Sequence, residues 1–352
     1  MREASLAFLK DLINAPSPSG FEQPAAKVWR NYVQPFSDNV DHDLHGNSLA
    51  ELNGTGSPRI MFSGHCDELG FIIKYVSEKG FLYFGTIGGH DRSIISGRRV
   101  TIYSEKGQVA GVTGKKAIHM MTPEERRKGP EVDSIWIDIG VSSKEEALER
   151  ISIGDVVVYD TGFNILNGDI ATSRAFDDKA GAFAVAEALR LLNAENLEAC
   201  ITSVATVQEE IGLRGARTAT FGVDPVIGVA VDVTHATDHP DVSQKKEGEI
   251  LLGSGPVILR GANANPHVSR LLQKAAEEEE IPFQVEGEPG GTGTDANAMQ
   301  ITRAGVAACL VSIPLRYMHT PSEVISLQDI ENTARLLAAF AKRVKKDMDF
   351  RP

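Results

Sequence analysis

Apolar positions recur in two rhythms along the 352 residues, and the change of rhythm divides the chain. Leu6, Leu9, Leu12 and Ile13 form one stripe at helical spacing and predict a helix over 3–13. The run Ala15-Pro16-Ser17-Pro18-Ser19-Gly20 stops it in a turn, and a second helix is expected over 22–33. Strands follow near 40–44 and 48–52, and Arg59-Ile60-Met61-Phe62-Ser63-Gly64 reads as a buried strand ending at His65. From Phe71 to about Tyr159 the pattern shortens into strands at 71–76, 81–86, 99–104, 107–113, 134–139 and 154–159, with glycines between them. Regular short strands with turn signals predict a small β-barrel. Within that stretch only 143–150 reads as a helix, with Ser142 or Ser143 as its cap, and 122–130 reads as an exposed, charged excursion.

Beyond Asp169 helices and apolar strands alternate. Helices are expected at 178–193, 213–221, 265–279, 295–304 and 327–346, and strands at 200–207, 226–232, 282–286 and 306–313. This alternation predicts an α/β fold, a central mixed sheet sandwiched by helices. The simplest organisation is one domain formed by 1–68 and 168–352, interrupted by a β-rich insertion at 69–167.

Composition narrows the function classes. Hydrophobic residues make up 42% and charged residues 24%, ordinary for a globular protein. A net charge of −12 repels phosphate, and no Lys/Arg run exceeds three residues, so no nucleic-acid partner is expected. No window approaches a membrane span and Met1–Leu6 carries no apolar signal core, so a cytoplasmic location is expected. Cys66, Cys200 and Cys309 lie in apolar, strand-like settings, so disulfides are not expected. Cys66, between His65 and Asp67, faces away from both on a strand and reads as a packed thiol.

Five stretches offer metal ligands or catalytic carboxylates, four at the ends of predicted strands and the fifth opening a helix. Open α/β sheets bind ligands at the carboxyl ends of their strands. In His65-Cys66-Asp67 the histidine and aspartate share a face, so His65 is a candidate ligand and Asp67 the carboxylate that fixes its tautomer. Asp177-Asp178 opens a helix, where capping needs only one carboxylate; Asp177 can bridge two cations while Asp178 caps or supports. Glu209-Glu210 follows a buried strand, where adjacent like charges call for a cation or a proton; Glu210 suits a ligand and Glu209 a general base. Asp232 ends a strand too apolar for an unpaired carboxylate, and His319 follows another. His235 and His239 are further possible ligands, though both sit in polar loop sequence. The inventory suits two zinc-like cations, Zn2+ or Co2+, sharing one water.

In this order the stretches resemble the M42 family of aminopeptidases. The likeness extends to Pro18-Ser19-Gly20-Phe21-Glu22, Gly97-Arg98-Arg99-Val100, Thr292-Gly293-Thr294-Asp295-Ala296 and Ile313–Pro321. The resemblance implies an aminopeptidase/phosphorylase-like sheet and a metal pair held by His65, Asp177 and Asp232 on one side and by Asp177, Glu210 and His319 on the other. It implies Glu209 as general acid/base and a PDZ-like insertion that mediates dimerisation. Dimers of such chains commonly build tetrahedral dodecamers. Two departures stand out: Lys116-Ala117-Ile118-His119 in place of Lys-Pro-Pro-His, and Gly88-Gly89-His90 where Trp or Tyr often follows the glycines. The role of His119 stays open, and His90 reads as a polar rim residue or an unplanned metal contact.

The expected activity is removal of the N-terminal residue from short peptides. Thr294 and Asp295 are candidate substrate contacts, and Arg316 either favours acidic residues or serves a structural ion pair. Rival readings are a glycosidase using Glu209 and Glu210, whose carboxyls would have to face each other at roughly 5 Å or more, and a non-catalytic metal-bound scaffold.

Overall fold

The computed structural model describes all 352 residues. Helix α1 (Glu3–Asn14) buries Phe8, Leu9, Leu12 and Ile13, and α2 (Gln23–Val33) buries Trp29. The Trp29 indole N–H donates to the Ala182 carbonyl at 2.8 Å and so pins α2 to the central helix described below. The hairpin β1 (Asn39–His42) and β2 (Ser48–Leu52) precedes β3 (Arg59–His65). In β3 all but the first residue are buried; Ile60 and Phe62 join one apolar cluster while Met61 joins another on the opposite face. A strand covered on both faces has no polar side to show, which is why it reads as a continuous apolar run.

Six strands then close a barrel: β4 (Gly70–Val76), β5 (Leu82–Ile87), β6 (Arg99–Ser104), β7 (Gly107–Lys115), β8 (Ile135–Asp138) and β9 (Val156–Tyr159), in the order β4-β5-β8-β7-β6-β9. Phe71, Leu82, Ile102 and Ile137 fill its interior. The charged excursion contains a short helix, α3 (Pro123–Lys128), held by a capping box in which Thr122 and Glu125 satisfy each other's amides. Helix α4 (Lys144–Arg150) is capped by Ser143.

The remaining elements are β10 (Asn164–Asn167), β11 (Ile170–Ser173), α5 (Phe176–Leu192), β12 (Cys200–Thr206), α6 (Arg214–Val223), β13 (Ile227–His235), α7 (Gln244–Glu247), β14 (Val257–Gly261), α8 (Pro266–Glu278), β15 (Gln284–Glu288), α9 (Asp295–Gln300), β16 (Ala307–Arg316), β17 (Glu323–Ser326) and α10 (Leu327–Arg343). They complete an eleven-stranded mixed sheet, ordered β1-β2-β12-β3-β13-β16-β17-β11-β10, with β14 and β15 attached beside β16. Helices α5 and α10 pack in the cluster containing Ile60 and Phe62, whereas α6 and α9 cover Met61. Strands β12, β3, β13 and β16 are adjacent and parallel, so their carboxyl ends lie along one edge of the sheet.

Several elements depart from the sequence pattern. The edge hairpin β10–β11 and β17 escape it because each is four residues long; β10 is exposed throughout and β17 opens on a buried glutamate. Strand pairing puts Asn164–Asn167 in the large sheet although 164–167 fall inside the expected insertion. Strand β13 does not stop at Asp232 but continues to His235, paired with β16. Strand β16 runs through Pro314, a residue that cannot donate to a ladder. Its outer edge is free there, since β14 pairs only as far as Ser312 and β17 begins pairing at Leu315.

A buried ionic network ties the start of α5 to the N-terminal turn. Glu68 accepts from Lys179 Nζ at 2.9 Å, from the Ser17 amide at 3.0 Å and from Arg174, and Lys179 also donates to the Ala15 carbonyl at 2.6 Å. Removing one partner of such a network strands the other charges without water. Glu68→Ala is expected to cost about 3–5 kcal/mol of stability, read as a lower urea midpoint. A loss below about 1 kcal/mol, as for a surface pair, would contradict this account.

Candidate metal centre

The side chains singled out at the strand ends surround one cavity of about 470 Å3, lined by His65, Asp177, Glu209, Glu210, Asp232 and His319. His65 is the last residue of β3, and the Glu209-Glu210 pair follows β12. Asp232 lies two residues past the last pairing of β13 with β3, Ala230 with Ser63, where the two strands part and open the cleft. His319 follows β16 in a left-handed backbone conformation, φ 62°. Asp177 comes from a non-helical start to α5: its ψ of 106° and the dihedrals of Asp178 break the helical run before Lys179.

The close approach of α5 to β3 requires glycine. A Cβ on Gly64 would lie 2.4 Å from backbone atoms of Gly181 and Ala182, and one on Gly181 would lie 2.3 Å from Asp178 Oδ2. Gly64 is thus bare because helix backbone occupies the space a side chain would need, and Gly181 because the Asp178 carboxylate does.

Asp177 is the centre of the arrangement. Its Oδ1 lies 3.2 Å from His65 Nε2 and its Oδ2 3.3 Å from His319 Nε2. Glu209 Oε2 is 3.8 Å from His65 Nε2, and Glu210 Oε2 is 3.6 Å from His319 Nε2. His65, Asp177 and Glu210 offer donor atoms all within 4.8 Å of one another, as do His65, Asp178 and Asp232. Asp178 is less free than that proximity suggests, because its oxygens accept from the His65 amide at 3.1 Å and the Gly181 amide at 3.0 Å. It supports both strand and helix from beneath.

Asp67 does more than steady an imidazole. The nearest acceptor for His65 Nδ1 is the Asp67 carbonyl at 3.2 Å, with its carboxylate at 3.5 Å. A carbonyl oxygen only accepts, so Nδ1 carries the proton and Nε2 presents its lone pair to the cavity. The Asp67 carboxylate is committed elsewhere: it accepts from the amides of Glu209 and Glu210 at 3.0 and 3.2 Å and from Ser19 Oγ at 2.7 Å. It therefore sets the turn that aims both glutamates.

Two positioning carboxylates have no clear sequence signal. Glu323 is buried in β17 and accepts from the amides of Asp177 and His319, each at 3.1 Å, so it fixes the spacing of those residues. Glu22 accepts from the amides of Gly20 at 2.6 Å and Gln208 at 3.2 Å, anchoring the turn before Glu209. Glu323 is marked in the chain only by the apolar pair that follows it, Val324-Ile325, while Glu22 is marked only as the end of the Pro18–Glu22 stretch of the family likeness.

Other expectations need correction. Asp295 does not line the cavity: it is buried and accepts from Thr206 Oγ1 at 2.7 Å, while Thr294 does line it. The Arg316 guanidinium makes two 2.7 Å contacts with Asp238 and is absent from the lining, so the ion-pair alternative describes it. His90 stacks on Phe71 and its Nε2 donates to the carbonyls of Gly70 and Ile87, which leaves it a support beside the centre. His235 lines the cavity, whereas His239 is exposed and lies beside the Tyr317 ring. His119 is exposed.

Electrostatics set the requirement on any occupant. Burial pushes Glu209 up to about 10, with further repulsion from Asp232 and Asp295. Burial, then the Asp177 charge, pushes Glu210 up to about 8, and burial raises Asp232 to about 7. Burial also disfavours ionised Asp177, yet in the ion-free chain the protonated rings of His319 and His65 donate to it and hold it well below the usual range. Two imidazoles cannot neutralise four carboxylates in so little space, and Glu210 Oε1 is buried with no hydrogen-bond partner at all. Nitrogen and oxygen donors in this ratio, with one carboxylate between two histidines, fit a pair of divalent cations of the Zn2+ or Co2+ type.

A mixed α/β sheet bearing this cluster at the ends of its parallel strands defines a metallopeptidase class of hydrolase, and comparison with known proteins narrows it. The chain belongs to the M42 glutamyl aminopeptidase family, whose model matches residues 46–336. The lysyl aminopeptidase of Pyrococcus furiosus is 37% identical over 98% of both chains. Among solved structures, a TET aminopeptidase from a marine-sediment Thaumarchaeota archaeon superposes with a TM-score of 0.93 at 35% identity, covering 97% of each chain. The Pyrococcus horikoshii TET1 peptidase, which can assemble into a tetrahedron or a large octahedral shell, gives 0.86 at 32% identity over 97% of this chain and 100% of that one.

The raised carboxylates make a signed prediction. The ion-free folded chain holds protons that the unfolded chain releases above about pH 4, so its stability falls as pH rises from there toward about 10. Divalent ions displace those protons, and their affinity grows over the same interval. Thermal unfolding with added Zn2+ or Co2+ should therefore show stabilisation that increases from about pH 6 to about pH 8, with protons released into weak buffer. Stabilisation that is flat with pH would refute the link.

Proposed function

We propose that this aminopeptidase removes single N-terminal residues from short peptides using two divalent ions per subunit, Zn2+ or Co2+. In this reading His65, Asp177 and Asp232 hold one ion and Asp177, Glu210 and His319 the other. The observation that carries it is Asp177, whose two oxygens each face a different imidazole at 3.2 and 3.3 Å. Such an ion pair supplies Lewis acidity, lowering the pKa of a water and polarising a carbonyl.

The chain's own groups supply the rest. Glu209 faces the cavity beside His65 and takes the proton of the attacking water, then returns it to the departing amine. Asp67 holds the Glu209 amide and so fixes the backbone from which that carboxylate projects. The buried acids of the centre attract the free α-amino group of the peptide, which limits cleavage to one residue from the end. His319, the most exposed of the ligand candidates with its side chain 37% accessible, marks the side on which the cavity opens.

A glycosidase reading leaves His65 and His319 without a role, and Glu209 and Glu210 are held by one shared carboxylate rather than across a sugar. Glu209→Gln is expected to lower kcat on amino-acid anilides by about 10²–10⁴-fold while bound metal stays at two ions, measured by elemental analysis. Retained turnover would remove Glu209 as the base. Activity that survives EDTA would remove the metal mechanism altogether.

We further propose that the chain self-associates through its barrel into dimers and then a tetrahedral dodecamer. Likeness to the Pyrococcus horikoshii TET1 peptidase supports this, as do Ile118 and Met120, which stand exposed after β7. Sedimentation should give twelve chain masses; a monomer at micromolar concentration would overturn it.

A further inference from the structure

The cavity continues past the ion-binding residues, and its far wall carries a second, separate pair of carboxylates. Glu286 and Glu288 alternate on β15, so they share one face of that strand, and both line the cavity half-buried. Thr234 links the two ends: it sits two residues beyond Asp232 on β13, and its Oγ1 donates to Glu286 at 3.2 Å. Glu288 accepts from the Gly290 amide at 3.0 Å. Neither glutamate has a Lys, Arg or His partner within 4.0 Å, whereas Asp177, Glu209 and Glu210 each face an imidazole. No lysine or arginine lines the cavity at all. The nearby Arg316 is already committed to Asp238. Leu213, Leu259 and Leu310 line the same cavity, and Leu259 pairs with Glu286 where β14 meets β15.

We propose that Glu286 and Glu288 receive the side chain of the substrate's N-terminal residue and that the residue preferred there is Lys or Arg. The proposal rests on reading the cavity as an aminopeptidase site. A long basic side chain lays its methylenes along apolar surface and places its charge at the end, which suits a cavity lined by leucines beside a pair of carboxylates. Burial and repulsion from Glu288 both raise the proton affinity of Glu286, and a cation between the two relieves that cost. A neutral N-terminal residue leaves both carboxylates desolvated and unmatched. An acidic one meets two like charges, so the wall rejects as well as selects. The cavity thus opposes the acidic preference that Arg316 suggests in the sequence.

The test uses the full chain loaded with Co2+ or Zn2+ and the anilides of Lys, Arg, Leu and Glu. The Lys and Arg substrates should exceed Leu and Glu in kcat/KM by about tenfold or more. That advantage should shrink as ionic strength rises, since the carboxylates are half exposed. Glu286→Gln, Glu288→Gln and the double variant should lower the Lys-to-Leu ratio by about tenfold or more, chiefly through KM. A merely structural defect would lower both substrates together and leave the ratio intact. Preference for Leu or Glu in the unaltered enzyme, or an unchanged ratio in the double variant, overturns the proposal while leaving the aminopeptidase reading standing. Failure of the loaded enzyme on every anilide would sink that reading and this one with it.

Discussion

An excess of buried negative charge around two imidazoles is the constraint on which the site depends. Asp177, Glu209, Glu210 and Asp232 enclose a space into which His65 and His319 point, and the histidines are too few to balance the carboxylates. Carboxylates in that position either take protons or take cations. The orphaned Glu210 Oε1 and the bridging position of Asp177 describe a set of donors prepared for ions.

The scaffold bears the cost of that repulsion by fixing each carboxylate through its backbone. Asp67 grips the amides of Glu209 and Glu210, Glu22 that of Gln208, and Glu323 those of Asp177 and His319. Each donor is a backbone N–H, a group that cannot relax away when the side chains repel. Below them Glu68 is held in the interior between Lys179 and Arg174. Gly64 and Gly181 let α5 approach β3 closely enough for the helix start to reach His65.

One cavity serves two tasks because β13 carries residues for both. Asp232 faces the reacting centre and Thr234, one alternation further, holds Glu286 on the opposite wall. Chemistry and selection are therefore set on the same strand face at fixed separation. Their charges act differently: the inner carboxylates are matched to ions, the outer pair to a side chain that arrives with the substrate. The barrel adds no residue to the cavity lining and leaves apolar side chains such as Ile118 and Met120 near its edge exposed.

Residue type and strand ends made much of the molecule legible in advance. Helix α1, strand β3, the alternation after Asp169 and the short strands of the barrel are local patterns, and local patterns reflect burial directly. His65, Asp177, Glu209, Glu210, Asp232 and His319 stood out for the same reason: each is a polar group at an apolar strand or helix boundary where solvation alone could not keep it. What needed the tertiary structure was direction and partnership. Asp295 and Arg316 looked available in the chain, yet Thr206 and Asp238, 89 and 78 residues away, engage them. Glu286 and Glu288 belonged to no stretch singled out in the chain and line the cavity because β15, paired with β14, brings Glu286 to Thr234. A side chain's chemistry belongs to its sequence, but whether it is paired depends on contacts between distant segments, and only the fold brings those together.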